Sequence, residues 1–333
     1  MEVVVTGGCG FIGRHVVKLL SEKGVNVLVV DNLSTSSEHV AWELEKKTGA
    51  KVLIGSAHIL NTLPADYDAV IHLGQPSSSP LYWKYSELFS RTVEEMQAVL
   101  EYAVKASCPV IYASSSSVYA GNPVPWSEDM KIIPWDRYSE VKYICERMGT
   151  LYALRQRIRF IALRFFSVYG EGEEHKGNFA NLFTQLIWSA LTHKALEVYY
   201  GGRQTRDLVY VGDVAEAVYS ALQLALESHD GFHEVINVGS GREVPVREMI
   251  EIIRSKTGLE PRVKLMEYAP SFYIHRTLAD TRKAESLLGW TAKTTPEDAV
   301  EEITRYYFAI TEKVNSLWHA PREALEVEKE PQI

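Results

Sequence analysis

The stretch TGGCGFIG at residues 6–13 lies between an apolar run at 3–6 and an amphipathic pattern at 12–22. The run predicts a strand and the pattern predicts a helix, so the glycines form a tight strand-to-helix turn. Glycine permits positive φ there, and its missing Cβ lets a pyrophosphate approach the N–H groups at the helix N-terminus. The glycines that fit this spacing are Gly7, Gly10 and Gly13.

A carboxylate follows the loop at the distance that dinucleotide sites use, because the second predicted strand, at 26–30, ends at Asp31. Asp31 could accept hydrogen bonds from both hydroxyls of an adenosine ribose and would repel a 2′-phosphate, so NAD is favoured over NADP. A structural glycine turn followed by a surface aspartate is the alternative. We interpret Cys9, inside the loop, as a small packing residue.

The first half of the chain alternates short β-branched runs with helical patterns, which predicts a parallel sheet covered on both faces with right-handed crossovers. We therefore expect an α/β protein, with a doubly wound (Rossmann) domain at 1–168 and a smaller α+β substrate lobe at 169–318. A strand near 235–238 should return to the main sheet, residues 171–178 should form a mobile polar loop, and 319–333 a loose tail.

Composition excludes several classes of protein. The net charge is −8 and no basic stripe is visible, so we expect no nucleic-acid partner. No apolar run approaches the roughly 18 residues of a membrane span, and the strand at 2–6 leaves no room for a signal peptide. Three scattered cysteines indicate a reducing cytoplasm. The histidines lack ligand spacing, so we expect no metal site.

Tyr138 and Lys142 lie one turn apart at the start of a predicted helix, after a serine run at 114–117 that ends the fifth predicted strand. Ligands of open parallel sheets bind at this carboxyl end. Oxidation of an alcohol needs a base, and the pKa of a phenol, about 10, must be lowered by cations such as Lys142 and a bound nicotinamide. We expect Tyr138 to be that base and Ser115 to orient the substrate oxygen; an ordinary polar strand end is the alternative for the serines.

The chain resembles the extended short-chain dehydrogenase/reductases from residue 1 to about 290. The resemblance is carried by motifs that occur in the order characteristic of these proteins. Within these proteins the chain is similar to the NAD-dependent nucleotide-sugar epimerase/dehydratase family. The motifs are TGGCGFIG (6–13), VVDNLS (29–34), VIHLG (70–74), YASSSSVYA (112–120), YSEVK (138–142), LRFFSVYG (163–170), QTRDLVYVGDV (204–214), INVGSG (236–241) and LADTRKAESLLGW (278–290).

The resemblance implies a bound NAD, a nucleotide-diphosphate sugar in the cleft between the lobes, and a homodimer. It gives Ser115, Tyr138 and Lys142 the catalytic roles. It implies cofactor binding by Gly7, Gly10, Phe11, Ile12, Gly13, Asp31, Asn32, Ser34, Ser56, Leu73, Gly74, Tyr138 and Lys142. It implies substrate binding by Ser115, Ser116, Ser167, Asn181, Tyr199 and Arg206.

Arg206 matches the arginine that pairs with the substrate's diphosphate, and a guanidinium fork suits that group. A structural ion pair with the neighbouring Asp207 is the alternative. Four positions depart from the family pattern and bear on cofactor and substrate affinity. They are Ser56, Thr92, Ser167 and Pro270.

The residues after Ser115 select among the family's reactions. Dehydratases of the family carry an Asp-Glu pair there, whereas this chain has Ser116 and Ser117. We therefore expect 4-epimerisation of UDP-glucose and UDP-galactose, or of their N-acetyl forms, through a 4-keto intermediate. The alternatives are a UDP-glucuronate 4-epimerase, an NAD-dependent dehydrogenase and a non-catalytic dinucleotide-binding protein.

Three glutamates follow the VYG motif, namely Glu171, Glu173 and Glu174. They would repel a uronate, so a neutral hexose is expected first. Apolar residues on the predicted helices 86–105 and 138–156 could form a two-fold bundle in a dimer, or could be ordinary core. These residues are Leu88, Ile144, Met148 and Leu151.

Overall fold

The structure is a computed structural model, and it describes residues 1–269 and 273–318. The strands are β1 (Glu2–Thr6), β2 (Asn26–Asp31), β3 (Lys51–Ile54), β4 (Ala69–His72), β5 (Val110–Ser115), β6 (Phe160–Phe165), β7 (Ser167–Tyr169), β8 (Leu196–Val198), β9 (Thr205–Tyr210), β10 (His233–Val238), β11 (Glu243–Pro245) and β12 (Val263–Leu265). The α-helices are α1 (Phe11–Glu22), α2 (Glu38–Thr48), α3 (Ser79–Lys84), α4 (Glu87–Ala106), α5 (Arg137–Gln156), α6 (Leu182–Thr192), α7 (Val211–Glu227), α8 (Val246–Thr257), α9 (Arg282–Leu288), α10 (Pro296–Ala309) and α11 (Thr311–Leu317).

Within the described ranges, seven parallel strands form the main sheet in the order β10-β6-β5-β4-β1-β2-β3. The chain runs outward from β1 to β3 and then returns to place β4 on the other side of β1. Such a reversal opens a crevice at the carboxyl ends of the strands, where ligands of doubly wound folds bind. The predicted α/β doubly wound fold is confirmed.

Helices cover both faces of the sheet because the central strands are apolar on both sides. In β1, Val3 and Val5 pack into one core together with residues of α1 and α7. Val4, between them, points the other way and packs with residues of α4 and α5. The alternation of side chains along a strand therefore divides one apolar run between two cores.

The smaller lobe contains the three-stranded sheet β11-β9-β7, the pair β12-β8 and the helices α6, α8, α10 and α11. Its own core includes Phe183, Trp188, Met249 and Tyr307. The chain leaves this lobe twice, because α7 packs on the main sheet and β10 pairs with β6. The predicted return of a strand near 235–238 to the main sheet is therefore observed, and α7 joins that sheet as well.

Several elements differ from the sequence-based expectations. Helix α2 is polar and escaped prediction, but the Ser37 hydroxyl accepts the N–H of Val40 at its start and Gly49 ends it in the left-handed region. The amphipathic pattern at 296–316 predicts one helix, but the structure has two, α10 and α11, separated at Ile310. The predicted tail at 319–333 and Pro270 lie outside the described residues.

None of the helices in residues 1–269 and 273–318 combines the length and the apolar composition that a bilayer crossing requires. Across the same ranges, no group of three or more His, Cys, Asp or Glu side chains is arranged to hold a metal ion.

Candidate active site

A cleft of about 560 Å³ opens at the carboxyl ends of the main strands and extends to the smaller lobe. Every residue that the sequence predicts to bind the cofactor lines this cleft. Ser115, Ser116, Ser167, Asn181 and Arg206 line it as well. The structure therefore brings the predicted cofactor and substrate residues together, with the exception of Tyr199.

At each of the three motif glycines, a side chain would collide with the loop itself or occupy space that a dinucleotide needs. Gly7 has φ +71°, and a Cβ there would lie 2.5 Å from the Cα of Gly74. A Cβ on Gly13 would lie 2.0 Å from the carbonyl oxygen of Gly7. Gly10 instead faces the cleft, and its Cβ would meet only that same oxygen, at 3.2 Å. A Cβ on Gly10 would occupy space beside the α1 N-terminus, which is where a pyrophosphate would lie.

Asp31 is held beside the glycine loop, at the end of the cleft where we expect an adenosine ribose. Its Oδ2 accepts the N–H of Cys9 at 2.9 Å and its Oδ1 accepts the N–H of Leu33 at 2.8 Å. Burial raises the pKa of Asp31, and these backbone hydrogen bonds oppose that shift. Each carboxylate oxygen keeps acceptor capacity for a ribose hydroxyl. Burial, together with the charge of Asp31, raises the pKa of Cys9 to about 12, so its thiol stays protonated and unreactive.

Tyr138 owes its position to the cap of α5. The carboxylate of Asp136 accepts the N–H of Ser139 at 2.8 Å, and the hydroxyl of Ser139 is the acceptor for the N–H of Asp136 at 3.2 Å. This reciprocal capping box starts the helix at Arg137, so Tyr138 projects from the first turn into the cleft. There its hydroxyl is hydrogen-bonded to Ser115.

The pKa values of Tyr138 and Lys142 both reflect burial. Burial raises the pKa of Tyr138 to about 12, although the hydrogen bond to Ser115 lowers it. Burial lowers the pKa of Lys142 to about 8. The sequence predicts that Lys142 depresses the pKa of the phenol, but its Nζ lies 5.9 Å from the centroid of the Tyr138 ring. The residues of the chain alone therefore do not lower the pKa of Tyr138 as the sequence predicts.

Lys142 directs its hydrogen bonds elsewhere. Its Nζ donates to the Oε1 of Gln75 at 2.8 Å and to the carbonyl oxygen of Ala113 at 2.9 Å. Gln75, which lies just outside the VIHLG motif and has no predicted role, lines the cleft. Its place at the carboxyl end of β4 was the signal that could have identified it.

Arg206 does not pair with its neighbour. The Asp207 carboxylate accepts hydrogen bonds from the N–H groups of Ser240, Gly241 and Ala279. Arg206 lines the cleft, where its Nη1 donates to the carbonyl of Thr205 and its guanidinium carbon lies 5.2 Å from the centroid of the Tyr273 ring. The alternative of an ion pair with Asp207 is therefore wrong.

Tyr199 does not line the cleft. Its ring packs edge-on against Tyr273, with the centroids 5.0 Å apart, and Tyr273 in turn lies against Arg206. Tyr199 is thus one residue removed from the arginine of the cleft. Among the cleft residues without a predicted role are Ser117 and Lys176. The hydroxyl of Ser117 is buried without a hydrogen-bond partner, which is a signal that only the structure supplies.

The glutamates after the VYG motif are not in a mobile loop facing the cleft. Residues Glu174–Phe179 form a short 3-10 helix, and Glu173 and Glu174 are buried. Glu173 accepts hydrogen bonds from Lys176, Thr184 and the N–H of Asn181. None of the three glutamates lines the described cleft. Glu173 and Glu174 are paired with Lys176 and Arg14, and Glu171 accepts a hydrogen bond from Tyr210. The expectation that the three repel an anionic sugar is therefore wrong, because none of them faces the cleft.

A family model described as the NAD dependent epimerase/dehydratase family matches residues 3–239 of the chain. A curated relative from Methanocaldococcus jannaschii, named putative UDP-glucose 4-epimerase, is 28% identical over 91% of this chain and 97% of its own. A UDP-glucuronate 4-epimerase from Thermodesulfobacterium geofontis is 28% identical over 90% of this chain and 92% of its own.

Two solved structures of the protein MoeE5 are similar over nearly their whole length. One, in complex with UDP-glucuronic acid and NAD, is 30% identical with a TM-score of 0.80, and covers 93% of this chain and 100% of the other. The second, in complex with UDP-glucose and NAD, is 31% identical with a TM-score of 0.79, and covers 93% of this chain and 99% of the other. The matched region includes the glycine loop, Asp31, Ser115, Tyr138 and Lys142. The chain therefore belongs to the NAD-dependent epimerase/dehydratase family, and its cofactor is NAD.

Proposed function

We propose that the chain is a UDP-sugar 4-epimerase that interconverts UDP-glucose and UDP-galactose, or their N-acetyl forms. The observation that carries this proposal is that Ser115, Tyr138 and Lys142 line the same cleft as the glycine loop, with Ser115 close enough to lower the pKa of Tyr138. A proton-transfer group and a hydroxyl in one cleft with a dinucleotide-type glycine loop support the oxidation of an alcohol by a nicotinamide. The curated relative named as a putative UDP-glucose 4-epimerase supports the same assignment.

In this proposal the chain's residues handle the proton and hold the sugar. The positive charges of Lys142 and of a bound nicotinamide would favour the phenolate of Tyr138, whose oxygen then accepts the proton of the sugar's C4 hydroxyl and later returns a proton to the sugar oxygen. Ser115 donates a hydrogen bond that keeps the sugar oxygen in line with Tyr138. Bound NAD supplies a reversible hydride acceptor. Arg206 anchors the diphosphate, so the sugar can present its other face without leaving the cleft.

The positions of the acidic residues in the cleft favour epimerisation over dehydration. Among the described residues that line it, the carboxylates are Asp31 and Glu95. Asp31 is bonded to the glycine loop, and Glu95 accepts a hydrogen bond from Arg91 at 3.1 Å. Neither is placed beside Ser115, where the loss of water would need an acid and a base.

A neutral hexose is the first candidate because two of the cations that line the cleft are already paired. Arg91 lies 3.1 Å from Glu95, and Lys176 lies 2.9 Å from Glu173. UDP-glucuronate is the second candidate. Lys176 places a cation in the cleft, and the three glutamates after the VYG motif do not face it. One similar protein is named UDP-glucuronate 4-epimerase, and another was solved in complex with UDP-glucuronic acid.

Product chromatography separates these candidates. The purified protein, without added cofactor, is incubated with UDP-galactose, UDP-N-acetylgalactosamine or UDP-galacturonate. We expect the 4-epimer from a neutral sugar, with no net accumulation of NADH. Turnover of the uronate alone would establish the second candidate. Net NADH formation without an epimer would indicate a dehydrogenase, and bound NAD without any turnover would indicate a non-catalytic binding protein.

We also propose a homodimer in a reducing compartment. Helices α4 and α5 pack side by side, and Leu151 on α5 is 54% exposed. Ile144 and Met148 are half-buried, whereas Leu88 packs beside Tyr138. Exposed and half-buried apolar residues of α5 could pack against a second copy. Sedimentation of the wild type and of Leu151→Glu tests this, since the variant should be monomeric. The three cysteines are free and buried, which supports the proposal of a reducing compartment.

A further inference from the structure

A line of buried polar groups connects the glycine loop to Lys142, and the proposed mechanism does not use it. Thr6 Oγ1 and His72 Nδ1 are 2.6 Å apart at the ends of β1 and β4. His72 Nε2 and Gln75 Nε2 are 3.0 Å apart. Gln75 Oε1 then receives the hydrogen bond from Lys142 and another from the Tyr112 hydroxyl, at 2.9 Å. The contact between Thr6 and His72 is slightly shorter than the usual N–H···O hydrogen bond, and the other links have ordinary lengths.

The protonation of His72 follows from its surroundings. Burial lowers the pKa of His72 to about 3, so the imidazole is neutral and has one acceptor nitrogen. An amide nitrogen only donates, so Nε2 of His72 is the acceptor and Nδ1 carries the proton. The amide oxygen of Gln75 is then directed to Lys142. The ammonium of Lys142 can only donate, so it needs the amide oxygen of Gln75 as its acceptor. This contact and the contact with His72 therefore require the same orientation of the amide.

We propose that Gln75 is a positioning residue whose amide oxygen holds the Lys142 ammonium at the cofactor, and that His72 fixes the orientation of that amide. Gln75 and Ala113 take two of the three N–H groups of Lys142. The third is left for the cleft, which Lys142 lines. The proposal rests on the binding of NAD and not on the identity of the sugar.

Other groups that face Lys142 must be included in any pH dependence. The ring centroid of Tyr112 lies 5.1 Å from Nζ, and that of Tyr138 lies 5.9 Å from it. Cys145 and Glu146, on the same helix, favour the charged lysine, and Glu146 is itself paired with Arg164. All of these stay constant when residue 75 alone is changed, so a shift between variants reports the contact with Gln75.

The test is the pH dependence of NAD affinity, measured by tryptophan fluorescence on full-length protein freed of copurified NAD, for the wild type, Gln75→Met and Gln75→Glu. We expect NAD affinity to fall as Lys142 loses its proton, near pH 8 in the wild type. Gln75→Met removes the acceptor at constant length and should lower this midpoint by about one pH unit. Gln75→Glu places a carboxylate beside the ammonium and should raise the midpoint by about one pH unit.

Opposite shifts in the two variants are the signature of a direct contact, because a merely structural role would not move the midpoint in both directions. Gln97→Leu, on the exposed surface of α4, is the control and should match the wild type. Lys142→Met should abolish the pH dependence. If the midpoints of Gln75→Met and Gln75→Glu both equal that of the wild type, the proposal is wrong. Should Gln75→Met not fold, an unshifted midpoint in Gln75→Glu is sufficient to overturn it.

Failure of the proposed epimerase activity leaves this test intact, because NAD binding needs no sugar. Conversely, an epimerase whose NAD affinity showed no such shifts would keep its proposed function and lose only this role of Gln75.

Discussion

The carboxylate of Asp31 accepts the backbone N–H of Cys9 at 2.9 Å, which joins the end of β2 to the middle of the glycine loop. The same carboxylate accepts the N–H of Leu33 on its other oxygen. Residues 9 and 31 are far apart in sequence, yet this hydrogen bond fixes the two halves of the proposed adenosine site to one another. A preorganised site loses little conformational freedom when the cofactor binds.

Asp31→Asn should weaken NAD binding at least tenfold. The variant loses a charged acceptor for the ribose hydroxyls, and a hydrogen bond to a charged group contributes about 1.5–3 kcal/mol. It also turns an amide NH2 toward one of the two backbone N–H groups. The affinity for NADP should fall less than that for NAD, because the repulsion of the 2′-phosphate is gone. Fluorescence titration measures both, with Asp66→Asn on the surface as the control. An unchanged NAD affinity would contradict the assignment of Asp31.

Gly10→Ala and Gly13→Ala should fail in different ways. The added methyl of Gly10→Ala faces the cleft, so thermal stability should remain near that of the wild type while NAD binding is lost. The methyl of Gly13→Ala would lie 2.0 Å from the Gly7 carbonyl, so the melting temperature itself should fall. Differential scanning fluorimetry with and without NAD separates the two. Equal loss of stability in both variants would show that Gly10 has no special relation to the cofactor.

The glycine loop shows how far the sequence could lead. The loop, Asp31 and the Tyr138–Lys142 pair are local patterns whose spacing has a direct physical meaning, so their place at one cleft could be predicted. The directions of side chains could not. The sequence of residues 171–174 indicates an acidic loop, whereas packing against Thr184 and Lys176 turns Glu173 into the interior. Such compensation depends on contacts between elements distant in sequence.

Arg206→Met should raise the KM for the sugar nucleotide by about 10- to 100-fold and leave NAD affinity unchanged. The guanidinium lines the cleft, and a charge-assisted hydrogen bond to a diphosphate contributes about 1.5–3 kcal/mol. Arg206→Lys should recover only part of the loss, because an ammonium lacks the planar fork. Steady-state kinetics and NAD titration measure the two effects. Equal losses of NAD and substrate affinity would indicate general damage to the cleft.

Arg164→Met should lower the free energy of unfolding by about 3–5 kcal/mol. Arg164 forms a buried two-point contact with Glu146, at 2.9 and 2.7 Å, and Ser114 next to Ser115 donates to the same carboxylate. Without Arg164 a buried carboxylate lacks its cation. The double variant Arg164→Met/Glu146→Leu should regain much of the stability. Urea denaturation measures the change. The exposed Arg282→Met, which breaks a surface pair with Asp280, should not shift the midpoint.

The contacts of Lys142 and Tyr199 were beyond sequence reasoning for a related reason. A Tyr-x-x-x-Lys spacing places both side chains on one face of a helix but says nothing about which acceptors lie opposite. In the structure the acceptors are Gln75 and the carbonyl of Ala113, on loops and strands from elsewhere in the chain. Tyr199 likewise follows a short strand, and only the tertiary fold determines that its ring packs against Tyr273.

The most direct test of the account is Tyr138→Phe, assayed for turnover and for bound NAD in the same sample. Removing the phenolic oxygen deletes the proton acceptor but keeps the ring that packs near Tyr82. We predict that turnover of the UDP-hexose falls by about 10²- to 10⁴-fold while the NAD content equals that of the wild type. Undiminished turnover with full NAD content would contradict the claim that this phenol exchanges the sugar's proton.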